Sequence, residues 1–261
     1  MSERFDDRVV FETKGPVAII TLDRPERLNA FDGAMYRGVN HALETFRDDD
    51  KLWVAIIQAN GERAFCAGAD VSALDNNAKQ GLLKALGGLL LDDGMVTDKP
   101  IIAAVHGHCV GEGVNLILGC DMVFAEHSSS FMVSEAKVGT NAVDIPIKLG
   151  KKIGYNKTFA MLSPGDAKSA DWCERAGLVE TVTADGSVKQ QALAFAQQLC
   201  ERGAPLAIRA QKETLWRSIF EDEATARARG LVLRDQMRRS KDYAEGRAAF
   251  LDKRKPRFTG E

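Results

Sequence analysis

The sequence carries almost no net charge: 35 lysines and arginines face 37 aspartates and glutamates over 261 residues. That lack excludes a chain that holds nucleic acid or an anionic membrane surface through bulk charge. Paired cysteines are lacking too. Cys66, Cys109, Cys120, Cys173 and Cys200 form an odd set with no C-x-x-C spacing, which fits buried thiols in a reducing compartment better than a disulfide scaffold. No apolar run approaches the ~20 residues of a membrane helix, and the start MSERFDDRVV is too charged for a secretory signal, so a cytoplasmic protein is expected. Internal repeats and low-complexity tracts are absent. What is present is 45% hydrophobic residues, enough for a substantial core in one large domain or a domain with an appendage.

Apolar runs of strand character lie at Val9 to Glu12, Val17 to Leu22, Val54 to Ala59, Ile101 to Val105 and Met122 to Ala125, with helical patterns between them at Ala34 to Phe46 and Gly113 to Leu118. This alternation predicts an α/β layer structure. From Lys148 the texture turns helical: Lys148 to Leu162, Ala167 to Ala176, Val188 to Glu201, Leu206 to Phe220, Asp222 to Arg239 and Tyr243 to Arg254, with one further strand signal at Leu178 to Val182. Several of these segments are charged on one side and apolar on the other, which suits packing on a core or on another subunit. The glycine- and asparagine-bearing stretch Val71 to Pro100 reads as a loop that covers a site.

Two segments promise a site. In GERAFCAGADVSAL, Gly61 to Leu74, a strand ends and Ala67-Gly68-Ala69-Asp70 opens a turn whose small residues let a ligand approach the backbone. In HCVGEGVNLILGCD, His108 to Asp121, Gly111 and Gly113 precede an apolar helix and present further bare N–H groups. Two such donors aimed at one oxygen make an oxyanion hole. Glycines that merely permit tight turns explain the spacing equally well. The order Gly107-x-x-x-Gly111-x-Gly113 is not a dinucleotide fingerprint.

DRPERLNAFD (Asp23 to Asp32), AFCAGADVSAL, the stretch from Lys99 to Gly139, AGLVETV (Ala176 to Val182) and EGRAAFLDKRKPRF (Glu245 to Phe258) together resemble the crotonase family, also called the enoyl-CoA hydratase/isomerase family, from about Val9 to Phe258. The resemblance implies the crotonase fold: an α/β spiral of ββα turns, taken as residues 1–200 with the acyl-CoA site, followed by a helical trimerisation region at 201–261. It implies a coenzyme A thioester as substrate, no cofactor or metal, no nucleic acid or membrane partner, and a homotrimer or dimer of trimers. By position, the backbone N–H groups of Ala69 and Glu112 form the oxyanion hole. Ala67, Gly68, Asp70 and Gly111 line the thioester, Arg27 and Ala30 belong to the turn that faces the coenzyme, and Lys253 comes from a neighbouring subunit.

Hydratases of this family use two glutamates twenty residues apart. Here the first position is Asn115 and the second is Glu135, so one carboxylate is missing. Hydration wants one group to deprotonate water and another to protonate Cα, and a neutral amide can hold water without taking its proton. A double-bond shift needs only one base, for which Glu135 suffices. Asp144 is a further catalytic candidate because some dehydratase or hydrolytic relatives carry an aspartate near this position; a helix N-cap before Ile145-Pro146 accounts for it as well. The expected activity is therefore hydration or isomerisation of an enoyl-CoA with Glu135 as acid/base. The alternatives are hydrolysis, C–C cleavage or dehalogenation through Asp144, or an acyl-CoA binder without chemistry. Glu112 stands where the family usually has a small residue, so its carboxylate is expected to point away from the thioester oxygen. His106 and His108 are expected to be satisfied structural residues, His41 and His127 surface residues, and Cys66 packing rather than a nucleophile.

Overall fold

The computed structural model describes residues 2–70, 72 and 87–261. Among these, the apolar runs become strands as expected. β1 (Ser2–Phe5), β2 (Val9–Lys14) and β3 (Val17–Leu22) form an antiparallel meander. Then β4 (Val54–Ala59) pairs parallel with β3. Between them runs α1 (Gly33–Asp48), whose N-cap Asp32 accepts a hydrogen bond from the Met35 N–H. Its apolar face, with Met35, Tyr36, Val39, Leu43 and Phe46, is buried against the sheet.

What the apolar runs do not announce is a second sheet. After β4 the chain adds β5 (Ala64–Cys66); β6 (Ile101–Val105) is followed by β7 (His108–Val110) and α2 (Glu112–Leu118); β8 (Met122–Glu126) is followed by β9 (Ser130–Met132). β4, β6 and β8 of the larger sheet thus each lead into a short strand of the smaller one. Later come α3 (Asp144–Leu162), β10 (Lys168–Ser169), α4 (Ala170–Ala176) and β11 (Thr181–Thr183). Among the described residues the two sheets run β1-β2-β3-β4-β6-β8-β11 and β10-β9-β7-β5. Along β6 the side chains alternate: Ile101, Ala103 and Val105 enter the large core, while Ile102 and Ala104 enter a second core under α5 (Val188–Arg202).

The helices expected at Lys148 to Leu162 and Ala167 to Ala176 differ in extent. The first begins at Asp144 and breaks at Gly154, and the second begins at Ala170 after β10. The stretch Val71 to Pro100 contains one described element, a 3-10 turn at Leu90–Asp92. The cover expected over residues 71 and 73–86 lies outside the described residues. The C-terminal layer comprises α6 (Pro205–Phe220), α7 (Glu223–Met237) and α8 (Lys241–Leu251). It is bolted to the sheets by polar contacts: Lys212 donates to the Lys99 carbonyl and to Asp121, both at 2.8 Å, and Arg209 pairs with Asp98 at 2.8 Å. No helix among the described residues is long and apolar enough to cross a membrane. All five cysteines are free; four are buried, and Cys200 is only half-buried, short of the expectation.

His108 and Ser130 share a hydrogen bond of 2.8 Å, as a structural histidine should. His106 departs from expectation. It is buried, and neither ring nitrogen makes a well-formed hydrogen bond among the described residues. Burial pushes its pKa below the usual 6.5, Lys189 adds to the effect, and the Gly61 backbone opposes it. A histidine held neutral in the folded state but free to protonate when unfolded supports stability above pH 6.5, and that support is lost as pH falls from there toward the lowered folded value. Thermal melts are therefore expected to show a falling Tm on acidification through this window. His106→Leu, which has no proton site, should flatten that part of the profile, and an unchanged profile would show that His106 does not set it.

Candidate active site

The two glycine-bearing segments are brought together by short strands. β5 pairs parallel with β7, and β7 with β9, so the turn after Cys66, the turn after Val110 and the segment after Met132 emerge side by side. Gly111 has φ +49°, a left-handed conformation that side chains rarely adopt; a Cβ there would stand 3.2 Å from Glu135 Oε1 and 3.8 Å from Gly68 Cα. One residue past Glu112, a Cβ on Gly113 would meet Cys66 Cβ at 2.8 Å and the Cys66 carbonyl at 3.0 Å. The helix therefore rests directly on β5. Gly68, Gly111 and Glu135 converge on one spot.

The turn containing Arg27 and Ala30 lies along the same rim. The N–H of Ala67 donates to the Leu28 carbonyl, that of Phe31 to Gly68, and that of Asp70 to Phe31, at 2.8–3.0 Å. Asn29 anchors this turn. It is buried in the left-handed region, its amide nitrogen donates to the carbonyls of Asn60 and Ala64, and its oxygen accepts from the Arg24 N–H. Sequence reasoning passed over Asn29, whose only signal is an Asn in a turn-forming stretch. Arg24 is drawn inward by Asp70 at 2.8 Å and the Ala30 carbonyl at 3.0 Å. Arg27 is exposed. Lys253, past the end of α8, is exposed as well, and no hydrogen bond or ion pair among the described residues joins it to these loops.

Two backbone donors stay unspent. Among the described residues no carbonyl accepts from the N–H of Ala69 or from that of Glu112. Neighbouring groups are otherwise engaged: Gly111 N–H donates to Met132, and the Gly68 N–H lies 3.4 Å from the Cys66 sulfur. The Cys66 thiol, fully buried, is pushed up to about 12 and so is not a nucleophile at ordinary pH.

The carboxylates are arranged unevenly. Glu135 opens a 3-10 turn (Glu135–Val138); its Oε2 is buried with no hydrogen-bond partner among the described residues. Asp144 is not a cap: Val143 occupies that position, and Asp144 is the exposed first residue of α3. Asn115, expected to hold water, is committed elsewhere. Its amide nitrogen donates to Asp92 at 2.9 Å and to Glu112 at 3.2 Å, while its oxygen accepts from Lys148 at 3.3 Å. Lys148 also pairs with Asp92 at 2.5 Å. The Glu112 carboxyl belongs to this network, where the Tyr36 hydroxyl faces it. Burial pushes the Glu112 carboxyl up and Asp92 pushes it further, against the hydrogen bond from Asn115. Burial likewise raises the Tyr36 hydroxyl, with Glu112 second, so Tyr36 is a neutral donor. Tyr36, Asp92 and Lys148 carry no signal in sequence, since they belong to three distant segments. No group of three or more potential metal ligands occurs among the described residues.

Two glycine-tight turns, each with an N–H that no carbonyl accepts among the described residues, thus stand beside the Glu135 carboxylate. The family described as Enoyl-CoA hydratase/isomerase matches residues 12–261. The chain belongs to this family. The carnitinyl-CoA dehydratase of Salmonella typhi is 35% identical over 257 residues, 94% of this chain and 96% of its own. Among solved structures, the enoyl-CoA hydratase of Mycobacterium tuberculosis H37Rv superposes with a TM-score of 0.88 at 31% identity, covering 97% of this chain and 99% of that one. An enoyl-CoA hydratase/carnithine racemase from Magnetospirillum magneticum gives 0.83 at 31% identity over 100% and 97% of the two chains. The protein is thus an acyl-CoA-processing enzyme of the hydratase/isomerase kind with the crotonase fold.

Proposed function

We propose that the protein adds water to, or shifts the double bond of, an enoyl-CoA thioester, with the N–H groups of Ala69 and Glu112 holding the thioester oxygen and Glu135 moving the proton. The observation that carries this reading is the pair of unspent N–H donors on segments pressed together at Gly68 and Gly111, with the unpartnered Glu135 oxygen beside them. Charge gathers on the thioester oxygen when a proton leaves Cα or a nucleophile adds at Cβ. Fixed donors stabilise that charge more than the neutral ground state. Glu135 can take a proton from one carbon and return it to another without a partner, which is all that isomerisation needs. Ala67, Gly68, Asp70 and Gly111 then shape the thioester subsite, and Arg27 and Ala30 stand toward the coenzyme. The chemistry uses no cofactor.

The exposed position of Asp144 gives no support to the hydrolase, lyase or dehalogenase alternative. Residues 201–261 are assigned to assembly. Leu215, Ile219, Phe250 and Leu251 there are 45–83% exposed, apolar surface of the kind that a neighbouring subunit covers. The assembly proposed is a trimer or dimer of trimers, as the family resemblance implies, with Lys253 serving a neighbour's coenzyme. Free and mostly buried thiols suit a cytoplasmic setting.

Glu135→Gln is expected to abolish solvent-proton exchange at the substrate's α or γ carbon while acyl-CoA binding survives. Ala69→Pro, which deletes one donor, should slow the chemical step by about 2.7–4 kcal/mol. A folded Ala69→Pro protein with unchanged turnover would remove Ala69 from the hole. Light scattering at micromolar concentration should report a trimer or a hexamer; a monomer alone would contradict the assignment of residues 201–261.

A further inference from the structure

If the thioester reading above holds, the protein must still explain how it could hydrate with Asn115 where related hydratases have a carboxylate. Residues 112 and 115 are i and i+3 on α2 and share one face of the helix. The Glu112 Oε1 atom lies 3.2 Å from Asn115 Nδ2, so a carboxyl group sits within one hydrogen bond of the position that an acidic side chain at 115 would fill. We propose that the Glu112 carboxyl is the second acid/base of a hydratase, displaced by one helical turn and held in place by Asn115 and Tyr36, so that residue 112 serves the reaction through both its N–H and its side chain.

Three features of the network fit this role. First, Asn115 gives Glu112 an N–H, whereas an acid at 115 would repel it; the substitution at 115 and the acid at 112 are chemically complementary. Second, Lys148 is taken by Asp92 at 2.5 Å, so Glu112 is not simply the counter-ion of a buried lysine. Third, the groups facing Glu112 are the neutral Tyr36 hydroxyl, Asn115, Asp92, the more distant Lys148 and the buried Cys66 thiol. Burial, with Asp92, raises the carboxyl above its usual value, which makes its carboxylate a stronger base than one in water.

The step balances as follows. Water's oxygen bonds to Cβ as its proton passes to the Glu112 carboxylate. The π pair of the Cα–Cβ double bond moves toward the thioester, whose oxygen takes up charge in the hole. Protonated Glu135 then gives its proton to Cα, and the pair resets by proton exchange with solvent. Water is the only co-reactant. Asn115 and Tyr36 are positioning residues in this scheme.

The test uses the full chain and a panel of straight-chain, branched and aromatic 2-enoyl-CoA thioesters, following water addition by absorbance and, in the straight-chain and branched members, γ-proton exchange through the dienolate by mass in heavy water. The wild type is expected to hydrate at least one thioester. Glu112→Gln should slow that hydration about 10²–10⁴-fold and slow exchange far less, because exchange needs Glu135 alone. The double substitution Glu112→Gln with Asn115→Glu, which returns a carboxylate one turn along the helix, should regain at least tenfold. Tyr36→Phe keeps the carboxyl and removes the hydroxyl that favours its charged form, so the acidic limb of the kcat profile should move to higher pH; this arm decides the matter should Glu112→Gln not fold. The proposal is overturned if a folded Glu112→Gln hydrates within twofold of wild type, if the limb does not move, or if the wild type exchanges protons but hydrates nothing in the panel. Loss of the whole thioester reading looks different: neither exchange nor hydration by the wild type, or both untouched by Glu135→Gln.

Discussion

The site depends on how closely two stretches of backbone approach. A chain that must leave two N–H groups free for a ligand has to keep its own carbonyls and side chains away from them, and it does so by crowding everything else. Gly113 is pressed onto Cys66, Gly111 sits between Glu135 and Gly68, and the N–H groups of Gly68, Asp70 and Gly111 are each given to a partner. A methyl group at 113 would have to overlap Cys66 atoms. The turns are therefore fixed in position with two donors left over. Orientation set in advance is what makes such donors effective, since no reorganisation is needed when charge appears.

Around this hole the protein places a second, side-chain network that joins four elements. Tyr36 comes from α1, Asp92 from the turn before β6, Glu112 and Asn115 from α2, and Lys148 from α3. Asp92 pairs with Lys148, and both carboxyls accept from the Asn115 amide, so removing Lys148 would leave Asp92 without its cation. An arrangement costly to disturb is suited to hold one carboxyl in one place.

Much of the fold was legible in sequence, and the reason is length. Val17 to Leu22, Val54 to Ala59 and Ile101 to Val105 are five or six residues of nearly unbroken apolar character, and all became strands of the large sheet. The smaller sheet was not legible. Ala64–Cys66, His108–Val110 and Ser130–Met132 have three residues each, too few to show a period, yet they are the elements that bring Gly68, Gly111 and Glu135 together. The N–H donors at Ala69 and Glu112 and the carboxylate at Glu135 were reached through family resemblance, not through pattern. The polar network was invisible for a different reason. Asp92 and Lys148 carry no signal of their own and Glu112 drew notice only as a position in the oxyanion hole, so only folding shows these charges turned toward one another. Asp144 lies exposed at the start of α3 and Asn115 is hydrogen-bonded into the network, arrangements that position in the chain alone did not foretell.

The central claim is that two fixed backbone N–H groups polarise a thioester carbonyl. The most direct measurement is vibrational: an infrared or Raman difference spectrum of an isotope-labelled enoyl thioester carbonyl, bound and free. Donation from both Ala69 and Glu112 predicts a carbonyl stretch at lower frequency when bound than in water. A thioester that binds with its carbonyl stretch at or above the value in water would contradict the account.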